Sequence, residues 1–292
     1  MNYQWYPGHM TKAMRSMQED IKLVDLVVEV VDARIPISSR NPEIDTLAEK
    51  KARLILLNKA DLADKIYNDK WCTYFKRSGI QTVLINSRTG EGLKEIQGAV
   101  LEACKEKIER DRKRGIKNRP VRAMVVGIPN VGKSTFINAY AGRACTKTGN
   151  KPGVTKGKQW IRLGKNLELL DTPGVLWPKF ENQEIGRNIA FIGSMNDQII
   201  QLEELALDLV RVINEKYPDR ISTRYSVEDG WKSETTHEEL GVLLRVCESR
   251  KCYKKGDEYD TEKAAMILLD DFRNGKLGRI TLEQDVKGVQ EA

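Results

Sequence analysis

One stretch restricts this chain more than any other: Gly127-Ile128-Pro129-Asn130-Val131-Gly132-Lys133-Ser134. This GxxxxGKS pattern follows the apolar run Val121 to Val126 and precedes an apolar, helix-like stretch from Thr135. That is the strand-loop-helix setting a phosphate-binding loop requires. A glycine-rich turn lets successive backbone N–H groups point inward at phosphate oxygens without Cβ interference. The helix beginning near Lys133 brings its positive dipole end, and the Lys133 ammonium reaches the outer phosphates. Val131, Gly132 and Thr135 complete the cradle, and Ser134 offers its hydroxyl to a magnesium ion. Alone, the loop implies a bound nucleoside triphosphate and leaves the base and the reaction open.

The flanking patterns set the fold class. Asp25 to Val31, Arg53 to Leu57 and Thr82 to Ile85 are aliphatic runs that read as buried strands, and Val121 starts a fourth. Lys158 to Leu163 and Leu167 to Leu170 read as two more, joined by a turn. Helical patterns cover Thr11 to Leu23, Asn41 to Lys50, Ile66 to Arg77 and Leu93 to about Glu109, with the basic stretch Arg110 to Arg119 reading as a linker. Strands alternating with helices at this spacing predict an α/β fold with a mostly parallel, doubly wound sheet. Beyond Gly186 the strand signals stop, and Ile199 to Lys216, His237 to Glu248 and Thr261 to Asn274 are helix-like. The expected division is a nucleotide-binding unit over 1–185, with an N-terminal segment 1–24, and a helical unit over 186–292.

Charge placement points to a polyanionic partner. From Lys105 to Arg122 there are nine Lys/Arg against three Asp/Glu, and from Arg143 to Glu168 seven against one, while the whole chain carries only +7. The positive charge therefore concentrates around the phosphate loop, which suits RNA. A second cluster, Arg245, Arg250, Lys251, Lys254 and Lys255 around Tyr253, combines phosphate-neutralising cations with an aromatic face that can stack on a base. Five scattered cysteines without a CxxC pair, and two histidines, argue against a disulfide framework or a zinc site. No run is long and apolar enough to span a bilayer and the N-terminus lacks signal-peptide character, so the expected location is cytoplasmic with no membrane partner.

Two short motifs at strand ends identify the base. Asn58-Lys59-Ala60-Asp61 follows a strand directly, at the end where ligands bind in open α/β sheets. The Asp61 carboxylate can accept from guanine's ring N–H and exocyclic amine, a pair of donors that adenine lacks. Ser87 and Arg88, within Asn86 to Gly90, stand where a second base-contacting turn is expected. Asp171-Thr172-Pro173-Gly174 follows the last strand: Asp171 is suited to hold magnesium through water, and the Gly174 N–H to contact the terminal phosphate. Thr155, in the loop between the phosphate loop and that strand, is a further metal candidate.

Together these residues resemble the translation-factor-related GTPases in a rearranged order. In ordinary members the phosphate loop comes first; here Asn58 to Asp61 and Ser87 precede Gly127, so the chain resembles a circularly permuted GTPase. Among permuted families it is similar to the bacterial ribosome biogenesis GTPase A (YlqF-type) family. The resemblance is carried by Trp5 to Met10 (WYPGHM), Asp32-Ala33-Arg34 with Pro36, Gly127 to Thr135, Lys151-Pro152-Gly153-Val154-Thr155, the DTPG and Gly275-Lys276-Leu277-Gly278. It covers nearly the whole chain. It implies hydrolysis of GTP to GDP with Mg2+, action on the large (50S) ribosomal subunit, and a protein that is monomeric off the ribosome. It further implies that Asn130 helps hold K+ beside the phosphates and that the C-terminal helices dock on ribosomal RNA.

The departures are specific. Val175 stands where many GTPases have a glutamine that orients the attacking water, and Leu176 is equally apolar. His9 is the remaining candidate, because its imidazole can hydrogen-bond water and the N-terminal segment can fold back over the nucleotide, a role the resemblance supports. Arg88 replaces a smaller residue, but the contact expected there is chiefly backbone. With Lys133 and Gly174, His9 completes the expected catalytic set. Two other classes compete. A nucleotide kinase would use the same loop but has no need of a guanine-reading turn, and a nucleotide-regulated RNA-binding scaffold with little hydrolysis has no need of intact Lys133, Ser134 and Asp171.

Overall fold

The computed structural model of the protein describes residues 8–116, 119–146, 159–163, 166–180, 182–226 and 238–286. Six strands form one sheet: β1 (Leu26–Asp32), β2 (Ala52–Asn58), β3 (Gln81–Leu84), β4 (Val121–Val126), β5 (Gln159–Leu163) and β6 (Leu167–Asp171). Their spatial order is β3-β2-β1-β4-β6-β5, every neighbouring pair parallel except β5 with β6. All six are the strands the aliphatic runs predict. The central β1 is buried along its whole length, as the run Leu-Val-Val-Glu-Val-Val requires. Its one charge within that run, Glu29, is compensated by Arg40 Nε at 3.1 Å and Arg53 Nη2 at 2.9 Å.

The direction of winding reverses between β1 and β4. Chain segments leave β1 toward β2 and β3, and leave β4 toward β6 and β5, so a crevice opens beyond the carboxyl ends of these two strands. Asp32, Asn58, Gly127 and Asp171 all stand at or just beyond strand ends on that side. Topology alone therefore gathers the four motifs.

The helices are α1 (Gly8–Asp20), α2 (Pro42–Leu47), α3 (Lys65–Arg77), α4 (Ile96–Ala103), α5 (Lys105–Lys113), α6 (Lys133–Ala141), α7 (Gln183–Phe191), α8 (Leu202–Lys216), α9 (Asp219–Tyr225), α10 (Glu238–Arg250) and α11 (Thr261–Arg273). Helix α1 buries Met10, Ala13, Met14 and Met17, a spacing of three and four that puts all four on one face. Helices α8, α10 and α11 close around Leu205, Leu209, Leu243, Leu268 and Phe272, each worth ~1.5 to 3 kcal/mol of burial.

Four expectations need correction. The helix predicted over 93–109 breaks at Cys104 (φ −100°, ψ 9°) into α4 and α5. The basic stretch that reads as a linker begins as the last turn of α5, held by Lys107 Nζ to Asp111 at 2.7 Å. Helices α7 and α9 have no counterpart in the sequence pattern, and α7 starts after the N-cap Asn182, so a division between 185 and 186 cuts through it. The C-terminal segment also does not stay with its own helices. Ile280 N–H donates to Leu62 O, Leu282 N–H to Arg34 O, and Trp71 Nε1 to Glu283 O, each at 2.9 Å. The half-buried Glu283 carboxylate accepts from the Ile37 and Ser38 backbone N–H groups at 2.6 and 2.8 Å. One hydrophobic core runs from the sheet through α7 into α11.

Candidate nucleotide site

Asn58 organises the crevice. Its Oδ1 accepts from Ser87 N–H at 3.1 Å and from Ser87 Oγ at 2.8 Å, and its Nδ2 donates to Val131 O at 2.7 Å. One buried amide therefore fixes the turn after β2, the turn after β3 and the phosphate loop relative to each other. Arg88 is exposed, with its N–H donated to Asn86 Oδ1 at 2.9 Å, so the second turn is shaped by backbone, as the sequence implies. Asp61 is partly buried at the rim.

Lys59 joins the base side to the phosphate side. Its Nζ donates to Asn130 O and to Asp32 Oδ2, each at 2.9 Å. Lys59 (φ 58°) and Asn130 (φ 61°) both hold left-handed backbone, a strained conformation for non-glycine residues that these bonds sustain. Asp32 is fully buried and is gripped by Arg34, through Nε at 2.9 Å and Nη2 at 2.8 Å. Burial works to raise the Asp32 carboxyl, but the Arg34 and Lys59 charges beside it hold it far below the usual carboxylate range. The sequence marks Asp32 and Arg34 as family residues without giving them a role. They bond each other two residues apart, but their other partners, Lys59 and the Phe272 carbonyl, lie too far along the chain for a local pattern to announce them.

In the phosphate loop, Lys133 opens α6 and donates Nζ to Gly127 O and Ile128 O, both at 3.0 Å. Burial pushes its ammonium down to about 8, against the opposing pull of Asp171. Gly174 passes so close that a Cβ there would meet Lys133 Nζ at 2.8 Å and Pro129 at 2.9 Å. Only glycine brings the Gly174 backbone beside Lys133. Asp171 ends β6, is 2% exposed, and shares the neighbourhood of Lys133. Ser134 and Thr135 lie in the first turn of α6, so the structure brings Val131, Gly132, Lys133, Ser134, Asp171 and Gly174 together.

Val175 and Leu176 are buried rather than aimed into the crevice. Leu176 N–H approaches Met10 Sδ at 3.4 Å, and Asn41 Nδ2 donates to Val175 O at 3.3 Å. Met10 thus pins the start of α1 beside the segment after DTPG, and its chain neighbour His9 is exposed there. Thr155 and the Lys151 to Val154 loop lie outside the described residues, as do Trp5 to Pro7.

One feature of the site has no signal in the sequence. Asn130 Nδ2 donates to Gly193 O at 2.5 Å, and Ser194 Oγ donates to Pro129 O at 2.6 Å. The turn after α7 therefore bonds directly to the phosphate loop. Arg34 Nη1 reaches Phe272 O at 3.1 Å, and Arg273 Nε and Nη2 reach Phe191 O and Ala190 O at 3.0 Å. The ends of α7 and α11 are thereby tied to the same cluster.

With this geometry in place, known proteins supply a context. A GTPase family described as 50S ribosome-binding matches residues 122–247. The chain is similar to Ribosome biogenesis GTPase A of Bacillus cereus, at 43% identity over 300 residues and 100% of both chains. It is 45% identical to the Bacillus licheniformis protein of that name over 97% of this chain and 99% of the relative. Among solved structures, GNP-bound YlqF from T. maritima superposes with a TM-score of 0.64 at 28% identity, covering 93% of this chain and 97% of that one. The GDP-bound form gives the same TM-score at 26% identity, covering 93% and 99%.

Proposed function

The chain belongs to the ribosome biogenesis GTPase A family, and from that premise we propose that it binds GTP and GDP, hydrolyses GTP to GDP and phosphate, and serves assembly of the large ribosomal subunit. The observation that carries this reading is Asn58, which joins a guanine-reading turn to a phosphate loop through one side chain. A nucleotide kinase has no use for that link.

The reaction is in-line attack of water on the γ-phosphate. Asp61 takes the base, with Asn58, Lys59, Ser87 and Arg88 shaping its pocket. Backbone N–H groups from Asn130 to Thr135 cradle the phosphates. Lys133 exchanges its bonds to Gly127 O and Ile128 O for the outer phosphates, where its ammonium offsets developing charge together with the Gly174 N–H. The hydroxyl of Ser134 and the carboxylate of Asp171 are hard oxygen donors that fit magnesium, with Thr155 a third. A magnesium ion bound by these oxygens would add positive charge at the phosphate end of the site. A potassium ion at Asn130 is proposed on the family resemblance.

His9 orients the attacking water. This rests on the burial of Val175 and Leu176, which leaves no side chain there to do so, and on the Met10 contact that holds the start of α1 nearby. The helices after Asn182 carry recognition of ribosomal RNA, and the protein acts as a cytoplasmic monomer that meets the large subunit. No helix among the described residues is long and apolar enough to cross a membrane.

The test is a panel of nucleotides for binding, followed by phosphate release with and without large subunits. GTP and GDP should bind in preference to adenine nucleotides, and subunits should accelerate release. His9→Ala should lower subunit-stimulated turnover roughly 10- to 100-fold with GTP affinity near wild type. Wild-type turnover in that variant would remove His9 from the mechanism.

A further inference from the structure

A groove of about 690 Å³ opens where the end of α8, α9 and the turn after α11 meet. Lys216, Arg220, Arg224 and Lys276 line it, against a single lining carboxylate, Asp219. Behind the wall, Asp271 is 3% exposed and accepts from Arg224 Nε at 2.9 Å, Lys276 Nζ at 3.0 Å and Tyr225 OH at 3.1 Å. Arg250 Nη2 stands 3.8 Å from the same carboxylate. One buried carboxylate thus gathers three cations and neutralises only one charge's worth. Lys216 and Arg220 form no ion pair among the described residues. Cations held this close repel one another, and an anion in the groove relieves that repulsion.

The turn after α11 closes one side of the groove. Gly278 holds φ +87°, a backbone conformation that favours glycine, and its backbone lies beside the Arg220 guanidinium. Leu277 is buried beneath it. Within Gly275-Lys276-Leu277-Gly278, then, Lys276 faces Asp271 and the second glycine lies beside Arg220. The one ring in the lining, Tyr217, has its hydroxyl engaged by Asp64 Oδ2 at 3.3 Å and Thr281 O at 3.4 Å. The lining therefore offers phosphate-seeking groups from three elements.

We propose that this groove binds the phosphate backbone of a structured RNA, with Lys216 and Arg220 contacting phosphates and Arg224 and Lys276 oriented behind them by Asp271. The inference deepens the ribosomal reading above and rests on it for the source of the RNA. It also moves the contact away from the cluster around Tyr253. There, Arg245 pairs with Glu248, Arg250 lies over the Tyr225 ring at 5.2 Å, and Tyr253 stacks on Tyr259 at 5.6 Å. Tyr217 also links the groove to the base site, since Asp64 caps α3 three residues after Asp61.

The test titrates the full-length protein with a mixed-sequence RNA duplex of about 20 base pairs, and separately with large subunits, across a salt series. Lys216→Gln/Arg220→Gln should weaken duplex binding about 10-fold or more and make the dependence of log affinity on log salt shallower by about 1 to 2. GTP affinity should stay within about twofold, because neither residue approaches the crevice. The charge-conserving pair Lys216→Arg/Arg220→Lys should restore the slope, which separates lost charge from a damaged fold. Unchanged affinity and slope in the Gln pair would overturn the proposal, as would a wild-type protein that ignores the duplex at low salt. A second bound GTP equivalent that the Gln pair loses, with RNA binding intact, would make the occupant a nucleotide and equally overturn it. Duplex binding that depends on Lys216 and Arg220, in a protein that ignores subunits, would sustain the groove and refute the ribosomal reading instead.

Discussion

In the proposed site Asp61 and Lys133 serve opposite ends of the nucleotide, one reading its base and the other its phosphates. Asp61 stands three residues after Asn58, whose bonds to Ser87 and Val131 fix the turn, so the carboxylate's position is set by a rigid frame. Asp61→Asn exchanges one acceptor for a donor. GTP binding is expected to weaken about 10²-fold or more while xanthine nucleotides bind better, because the ring substituent now matches the amide. A titration giving wild-type GTP affinity would detach this turn from the base. At the other end, burial lowers the Lys133 ammonium to about 8. The folded protein therefore holds that proton less tightly than the unfolded chain, whose lysines titrate near about 10.4. By linkage, stability without nucleotide should rise with pH through the window from about 8 to about 10. Phosphates reverse the sign locally, since an anion beside Lys133 favours its charged form. At pH 8, GTP or GDP binding should therefore take up about half a proton, read by calorimetry in two buffers of different ionisation heat. No uptake at pH 8, with affinity flat from pH 7 to 9, would contradict Lys133 as the phosphate ligand.

At the scale of elements, Arg34 joins the end of β1 to the end of α11. It is 1% exposed, grips Asp32 by two nitrogens, and donates to the carbonyls that end α11. Arg34→Met would leave Asp32 with Lys59 as its remaining counter-charge and strand those carbonyls. A cost of ~3 kcal/mol in urea unfolding is expected, with Arg34→Lys recovering only part because an ammonium cannot make the fork. An unmoved urea midpoint for Arg34→Met would mean the cluster is held by other contacts. This junction also marks where the sequence stops being legible. The central strands β1, β2 and β4 are readable because they are buried over most of their length and so appear as aliphatic runs interrupted only by Glu29, Arg53 and Arg122. The four nucleotide motifs are readable because each occupies a strand end, where topology fixes its place. Helix α7 escapes a periodicity reading because nine residues containing Gly186 carry too short a signal, although the Asn182 cap before Glu184 is a usable cue. Helix α9 has seven residues and only Ile221 and Tyr225 on its buried face. The roles of Arg34 and Ser194 are illegible for another reason: each acts on a carbonyl, and backbone carbonyls leave no trace in a residue pattern.

At the scale of the molecule, the sequence places every nucleotide motif before residue 186, which suggests that a chain cut near Ile185 would keep nucleotide binding. The fold removes that clean separation. The cut falls inside α7, removes Gly193 and Ser194 from the phosphate loop, and strips Leu282 and Glu283 from Arg34, Ile37 and Trp71. Loss of binding in such a chain would report a damaged core. Of the contacts between the two parts, one pair reaches the phosphate loop itself: Asn130 to Gly193, and Ser194 to Pro129. Pro129 also lies against Gly174, so the segment proposed to meet the γ-phosphate and the turn that leads to α8 press on one residue of the loop. On the proposed reading, triphosphate and diphosphate differ at Gly174, and a difference there is passed to the C-terminal helices only if this turn responds to it. Ser194→Ala removes the hydroxyl that makes the contact while leaving the backbone turn in place. Full-length protein should bind large subunits more tightly with a non-hydrolysable GTP analogue than with GDP, and the binding should weaken steeply with salt. In Ser194→Ala, one neutral hydrogen bond of ~1 kcal/mol is withdrawn from that coupling, so the ratio of the two affinities should shrink about fivefold. Affinity for the nucleotides themselves should change far less, because Ser194 reaches the loop from behind. Cosedimentation with large subunits under both nucleotides reads the ratio directly. A ratio equal to wild type in Ser194→Ala, or a wild-type protein whose subunit binding ignores the nucleotide, would mean that the phosphate loop does not speak to the helices through this turn.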